Sequence, residues 1–391
     1  MCYKMLGGQD MMRKLLAALT AVMLVLPPAN CFAAANGTMN LKIGQSTVSS
    51  GAYVNDGVLY LELEPVCRAL SYQVSNAGSD SDIRLTGPSD VIQIDPADNQ
   101  VVQNGHTIGV AGLSQEDLLG GGCLRLSGTL YMRADLLSQL LGLDVQTDET
   151  AKTVTVLRII QNILSVQTRR SDLSDGLLSA TIQYPVLSGP WSGQSLNAIN
   201  TALKQAADAA LSQGRQNAQE MQQTASLRKA SGLEDDGSLQ CAAYFDYEVK
   251  YNQNGLFSIV LSNYQYEGGA HGGTIQTAYT FDLNTGKQLS LGSLMKNGSG
   301  YQQEFDAKIR SGIDEREKSG ALVEIANSPF KTLGSNPDFY LSDAGIAFYF
   351  QQYQYFPYAA GIQEFTIPYG SISSMLNPSY HFLYEKLNRA A

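Results

Sequence analysis

Gly57-Val58-Leu59-Tyr60-Leu61 recurs as Gly128-Thr129-Leu130-Tyr131-Met132. The alignment runs without gaps from Gly57–Val74 onto Gly128–Val145, a shift of 71 residues, and the same shift carries Asp82-Ile83-Arg84-Leu85 onto Thr153-Val154-Thr155-Val156. A fixed offset over a segment of this size marks two copies of one folding unit. Each copy reads as a short strand, a helix and a returning pair of strands. Val66, Ala69 and Leu70, matched by Leu137, Leu140 and Leu141, keep one helical face apolar. Pro65 suits the first helical position, and Gly142 suits the residue just past the helix end. Between the copies, Val91-Ile92-Gln93-Ile94 and Val101-Val102-Gln103 flank a turn over Asp95–Gln100 and predict a hairpin. Residues 36–158 are therefore expected to form one α+β domain built by duplication.

Ahead of this domain, Arg13 and Lys14 precede an apolar run from Leu15 to Leu26, followed by Pro27, Pro28 and the small residues Ala33, Ala34 and Ala35. That order of charge, short apolar run and small residues is that of a secretory signal, expected to span residues 1–35. Twelve apolar residues fall short of a membrane span, so no span is expected after cleavage. The net charge is −10 and becomes −12 without residues 1–35. An acidic chain is not drawn to nucleic acid or to anionic lipid by its overall field. Of five cysteines, Cys67, Cys123 and Cys241 lie beyond residue 35, too few for a fold built on disulfides. Cys67 and Cys123 share a domain of an exported chain and are a candidate bridge, although the repeat places Ser138 where Cys67 stands.

From about Ile160 the texture changes to tyrosine-rich strands, expected at Leu177–Leu187, Tyr244–Tyr251, Leu256–Tyr266, Thr274–Asp282, Gln288–Leu291, Phe339–Leu341, Ile346–Phe350 and Gln363–Ile367. Ser195 stands as a cap before Leu196, Ile199, Leu203, Ala206, Ala207, Ala210 and Leu211, the spacing of an amphipathic helix. The polar stretch Gln213–Gln240 is expected to prolong that helix before becoming a loop, and Asn197 and Asn200 near the helix start are expected to support capping. A second helix carries Tyr301, Phe305, Ile309 and Ile313. The fold class is thus α+β in two domains: the duplicated unit, then a tyrosine-rich antiparallel sheet with two main helices over 159–391.

Two resemblances follow from these residues. The repeated strand and helix, with its Gly-x-x-Tyr start, resembles the copper amine oxidase N-terminal-like domain of secreted bacterial proteins. That name does not imply a copper site here, because His106 is the domain's one histidine and imidazole ligands are what copper amine oxidase chemistry needs. In the second half, Tyr266-Glu267-Gly268-Gly269-Ala270-His271-Gly272, Phe281-Asp282-Leu283-Asn284-Thr285-Gly286-Lys287 and Tyr353-Gln354-Tyr355-Phe356-Pro357-Tyr358-Ala359-Ala360-Gly361 resemble a domain-of-unknown-function family. That family includes the outer domain of the lysozyme-sensing anti-sigma-V factor and the non-catalytic region of a peptidoglycan deacetylase. Tyr184-Pro185-Val186 with Asn197-Ala198-Ile199-Asn200 resembles the small domain that precedes it, placing a subdomain at about 163–260 and the main motifs at about 260–375. Together with the signal, the resemblance implies an exported cell-envelope binding or sensing protein of a Gram-positive-type bacterium that recognises cell-wall glycan or a lysozyme-like protein; the residues assign it no cofactor and no metal.

Gly268-Gly269-Ala270-His271-Gly272-Gly273 could offer backbone N–H groups to an anion, but it lacks the Gly-Lys-Ser/Thr ending and the following helix of a phosphate loop. A turn in which glycines fill positive-φ positions is the structural alternative. A third reading makes His271 the base of a wall-modifying hydrolase, with Glu267 or Asp282 orienting it; no Gly-x-Ser-x-Gly elbow or histidine cluster accompanies it. Phe348–Tyr358 reads as an aromatic strand with one face in the core and the other either presenting tyrosines or likewise covered by helix and sheet. The expected binding residues are Tyr264, Tyr266, His271, Tyr353, Tyr355 and Tyr358, with no catalytic residue assigned.

Overall fold

The computed structural model describes residues 36–79, 81–88, 90–97, 100–109, 118–120, 122–232, 240–385 and 389–390; the expected signal, residues 1–35, lies outside them. The chain is α+β with strands predominating. It packs as two compact units, one ending at Ile160 and taking in the strand Arg389–Ala390, the other running from Gln161 to Leu387.

The first unit contains β1 (Gly37–Ile43), β2 (Ser46–Asn55), β3 (Val58–Glu62), α1 (Leu63–Ala69), β4 (Gln73–Ser75), β5 (Ile83–Thr86), β6 (Val91–Asp95), β7 (Gln100–Gln103), β8 (His106–Gly109), β9 (Leu118–Gly120), β10 (Cys123–Leu126), β11 (Thr129–Arg133), α2 (Ala134–Leu141), β12 (Leu143–Asp148) and β13 (Thr153–Ile159). Its main sheet has the order β12-β13-β1-β2-β3-β11-β10-β9, and β4 to β8 form a second sheet in sequence order.

The 71-residue offset recurs in the hydrogen-bond register. Val74 pairs with Leu85 as Val145 pairs with Val156. It also reaches upstream of the repeated sequence, since Tyr53 opposes Tyr60 as Leu124 opposes Tyr131. The two connecting turns match as well, with Asp56-Gly57 and Ser127-Gly128 all at positive φ, the geometry of a tight two-residue hairpin. Where the copies meet, Tyr60 opposes Arg133, Leu61 opposes Met132 and Glu62 opposes Tyr131. Because Leu61 and Met132 are equivalent positions, the copies pair about a pseudo-two-fold axis between them. Each copy thereby supplies the strand that closes the other's edge.

Two local expectations need correction. Pro65 is the third helical residue of α1, not the first; it is tolerated there because first-turn N–H groups have no intrahelical acceptor. Cys67 and Cys123 are buried thiols that are not bridged to one another. Both sit among the buried side chains of one apolar core, where burial pushes each thiol up to about 12. The packing thus holds these sulfurs as small apolar groups.

The second unit contains β14 (Ser165–Ser174), β15 (Leu178–Ser188), α3 (Gly193–Ala230), β16 (Cys241–Gln253), β17 (Leu256–Tyr266), β18 (Gly273–Asp282), α4 (Leu291–Leu294), α5 (Tyr301–Lys318), β19 (Phe339–Leu341), β20 (Gly345–Phe350) and β21 (Gln363–Pro368). Strands β14 to β18 form one sheet in sequence order, and β19 to β21 form another. β15 and β16 are parallel, so a crossover must join them, and α3 is that crossover. Leu196, Ile199, Leu203, Ala207 and Ala210 pack on Ile182, Phe245, Phe257, Ile259 and Leu261. The helix continues through the polar stretch because Ala218 and Met221 keep an inward stripe against Leu178, Cys241 and Ala243. Gly214 permits this approach, since a Cβ there would lie 2.6 Å from that of Ala243.

Ser195 is not the cap: Ser192 precedes the helix, while Ser195 is buried in the first turn and donates to the Leu283 carbonyl at 2.5 Å. Asn200 does not cap either; its amide brackets the Leu187 backbone, accepting from N–H at 2.8 Å and donating to C=O at 2.9 Å. The expected strand Gln288–Leu291 reduces to a single bridge at Gln288, followed by α4. β14 was not foreseen because most of its residues are exposed and carry no apolar alternation; pairing along β15 holds it. The aromatic strand ends at Phe350, and all six residues of β20 are buried. One of its faces meets Phe305 and Phe365, while the other carries Ala347 and Tyr349 against Val260.

Candidate functional site

β18 is an edge strand of the five-stranded sheet, yet outward backbone groups at Thr274 and Gln276 are occupied by side chains. Thr274 N–H donates to Gln352 Oε1 at 3.1 Å and Gln276 N–H to Gln351 Oε1 at 3.0 Å, while Gln351 Nε2 returns a bond to the Gln276 carbonyl at 2.8 Å. These amides stand in for a sixth strand, removing an edge that would otherwise invite pairing. They also fix the start of the segment that follows β20. Tyr353 then turns the chain at φ 65°, its N–H bonded to the Phe356 carbonyl at 3.1 Å.

That turn divides the aromatic run. Phe356 is fully buried, and Tyr355 packs edge-on against Phe350 and Phe330 at 5.0 and 5.5 Å between ring centroids. Tyr353 is 57% exposed. Tyr358 stacks on His271 at 3.8 Å with 19° between planes, and Tyr353 stacks on Tyr358 at 5.7 Å. His271 Nδ1 lies 3.0 Å from the Gly272 carbonyl, which makes Nδ1 the protonated nitrogen and leaves Nε2 facing the Tyr353 hydroxyl at 3.5 Å.

The loop bearing His271 joins β17 to β18, and its glycines have separate reasons. Gly268 and Gly269 take φ 90° and 95°, conformations that side chains rarely adopt. Gly272 is required by proximity, because a Cβ there would fall 2.4 Å from the Tyr264 ring. Tyr264 is thus a pedestal under the loop, stacked on Tyr244 at 5.8 Å. Burial pushes its hydroxyl above the usual tyrosine range; neighbouring Tyr358 adds to the shift and a backbone bond from Gly272 opposes it. Tyr266 fastens the same loop by donating to the Gly269 carbonyl at 3.0 Å.

His271, Tyr353 and Tyr358 form one rim of an open groove of about 790 Å³, and Tyr264, Tyr266 and Tyr355 do not line it. The groove lies where α3, which packs on Phe257, Ile259 and Leu261 of β17, leaves Ile275, Thr277 and Tyr279 of β18 uncovered. Ala206, Ala209 and Ala210 of α3 form one wall, and Ile275 and Tyr279 of β18 the other. Its floor is polar. Gln265 Nε2 donates to Asn263 Oδ1 at 2.7 Å and to the Ala210 carbonyl at 3.1 Å. Asn217, held by Gln213 at 2.7 Å, donates to Glu267 Oε1 at 3.0 Å. Asn263, Gln265 and Gln213 were missed from the sequence, although a signal was present. Along the helix-facing side of β17, Phe257, Ile259 and Leu261 give way to Asn263 and Gln265, an inward face that turns polar.

The arrangement offers stacked aromatic faces, amides and one carboxylate in a concave setting. His271 and Glu267 share the groove, but their hydrogen bonds go elsewhere, the ring to Gly272 and Tyr353 and the carboxylate to Asn217. No group of three or more metal-ligating side chains occurs among the described residues.

Three family profiles match in order: copper amine oxidase N-terminal domain over residues 42–156, deacetylase PdaC over 173–274, and protein of unknown function (DUF3298) over 292–370. The chain carries these three modules in that arrangement. Peptidoglycan-N-acetylmuramic acid deacetylase PdaC of Bacillus subtilis (strain 168) is 24% identical over 138 residues, covering 34% of this chain and 29% of that enzyme. The match therefore spans less than a third of that relative's length. A DUF3298 family structure from Bacteroides fragilis shares 15% identity at TM-score 0.43, covering 58% of this chain and 98% of that one. Another, from Pseudomonas aeruginosa, shares 18% at TM-score 0.36, covering 56% and 95%. The groove draws on two matched segments, His271 from the second and Tyr353 and Tyr358 from the third.

Proposed function

We propose that the chain is an exported cell-envelope protein of a Gram-positive-type bacterium that binds peptidoglycan glycan in the groove between α3, β18 and the Tyr353 turn. Residues 1–35 are its export signal, 36–158 a duplicated attachment or display domain, and 159–391 the glycan receiver. The observation that carries this reading is the stacked His271–Tyr358–Tyr353 rim over an amide floor. Sugar rings present apolar C–H faces to aromatic planes and hydroxyls to amides, and a groove of about 790 Å³ suits a few sugar units. The match to part of a peptidoglycan deacetylase supports that polymer as the source. A concave site favours a glycan chain over a lysozyme-like protein, whose interface would bury a broader surface. Among the described residues no helix is long and apolar enough to cross a membrane, α3 included.

The groove binds without catalysing. A histidine base needs a partner to orient it and a nucleophile within reach, and His271 is bonded to a backbone carbonyl and a tyrosine. Calorimetric titration with muramidase-released peptidoglycan fragments tests binding, and acetate or reducing-end release from the same fragments tests catalysis. Saturable binding without release is expected. Binding to lysozyme but not to fragments would replace the glycan with a protein partner, and release abolished by His271→Ala would make the site a hydrolase.

A further inference from the structure

We propose that the groove prefers de-N-acetylated amino sugars, which carry a free amine, over their N-acetylated counterparts. This inference rests on the reading of the groove as a glycan site. Its lining contains one carboxylate, Glu267, and no lysine or arginine among the described residues. Glu267 is exposed at the end of β17. Its Oε1 accepts from Asn217, and no hydrogen bond within the described residues engages Oε2. The carboxylate is therefore oriented while one oxygen remains open to the groove. Tyr353, 57% exposed, lines the same groove with Tyr358 and brings an electron-rich aromatic surface to it.

An ammonium on the sugar gains from both features. A charge-assisted hydrogen bond to a carboxylate is about twice as strong as a neutral one, and a cation over a tyrosine face is attracted by the ring quadrupole. An acetamido group keeps a donor N–H but brings no charge, so it loses both terms. An acidic sugar meets Glu267 with no cation to offset the repulsion. The unmodified sugar ring and its hydroxyls bind the same amides in every case, so Glu267 is the main source of the selectivity and the tyrosine faces add to it.

The full exported chain is titrated with a glucosamine tetramer and an N-acetylglucosamine tetramer, at a pH where the sugar amine is protonated. The glucosamine tetramer should bind about tenfold more tightly. Glu267→Gln retains the acceptor for Asn217 and should bring the two affinities within about twofold of each other, whereas Tyr358→Ala should weaken both ligands. Equal affinities, a preference for the N-acetylated tetramer, or a preference that survives Glu267→Gln overturns the inference while leaving the groove reading intact, provided that Tyr358→Ala still weakens binding. If neither tetramer binds, or if Tyr358→Ala changes nothing, the groove reading fails and this inference with it.

Discussion

The two units solve the same burial problem with different completeness. In the first, two copies of one unit pair about the Leu61–Met132 axis, and Tyr60, Leu61, Tyr131 and Met132 are buried along the seam. In the second, a single helix crosses a five-stranded sheet and leaves Ile275, Thr277 and Tyr279 of the far edge strand uncovered, and there an inward face that begins as Phe257 and Ile259 ends in Asn263 and Gln265 beside open space. A symmetric pair leaves no surplus surface, whereas a sheet wider than its cover leaves a groove. The candidate site lies where the covering stops.

The contrast is sharpest within Tyr353–Tyr358, where core and rim alternate over a few residues. Phe356→Ala removes a fully buried ring and is expected to cost ~3–5 kcal/mol of stability. Tyr353→Ala should stay within about 0.5 kcal/mol, as an exposed change does. Chemical denaturation of both variants measures the gap; equal losses would place Tyr353 in the core. Gly272→Ala forces a Cβ into the Tyr264 ring and should cost ~1–3 kcal/mol. It should also displace His271 from Tyr358, lowering glycan affinity; unchanged affinity would mean that the loop does not set the rim.

In the first unit the copies differ at one helix end. The left-handed position after the helix is Gly142 in the second copy and Ser71 in the first, at φ 65° and 64°. Ser71→Gly should stabilise by up to about 1 kcal/mol, and Gly142→Ser should destabilise by a similar amount. Thermal melts read both; opposite signs from these would break the equivalence of the two caps.

Much of this architecture was legible. The 71-residue offset announced the strand pair that returns after each helix, β4 with β5 and β12 with β13, because a repeated apolar pattern fixes which residues face inward. Leu256–Tyr266 was placed with its exact ends, since turn residues bound it on both sides. Strand β14 was not legible, because an exposed edge strand is held by its neighbour's backbone and carries no apolar signature of its own. Ser195 and Asn200 were misread as caps because their chemistry suits capping; their true acceptors and donors, at Leu283 and Leu187, are brought near only by tertiary packing. Of the six tyrosine and histidine candidates, His271, Tyr353 and Tyr358 line the groove. Composition alone could not separate them from Tyr355, since the turn at Tyr353 ends the alternation that a continued strand would have kept.

The most direct measurement is the affinity of muramidase-released peptidoglycan fragments for wild-type protein and for Tyr358→Ala, with melting temperature followed in parallel. Saturable binding by the wild type, weakened at least ~30-fold in Tyr358→Ala with little change in melting temperature, is expected from loss of an aromatic hot spot worth ~2 kcal/mol. Fragments that bind both proteins equally, or bind neither, would contradict a glycan site at this groove.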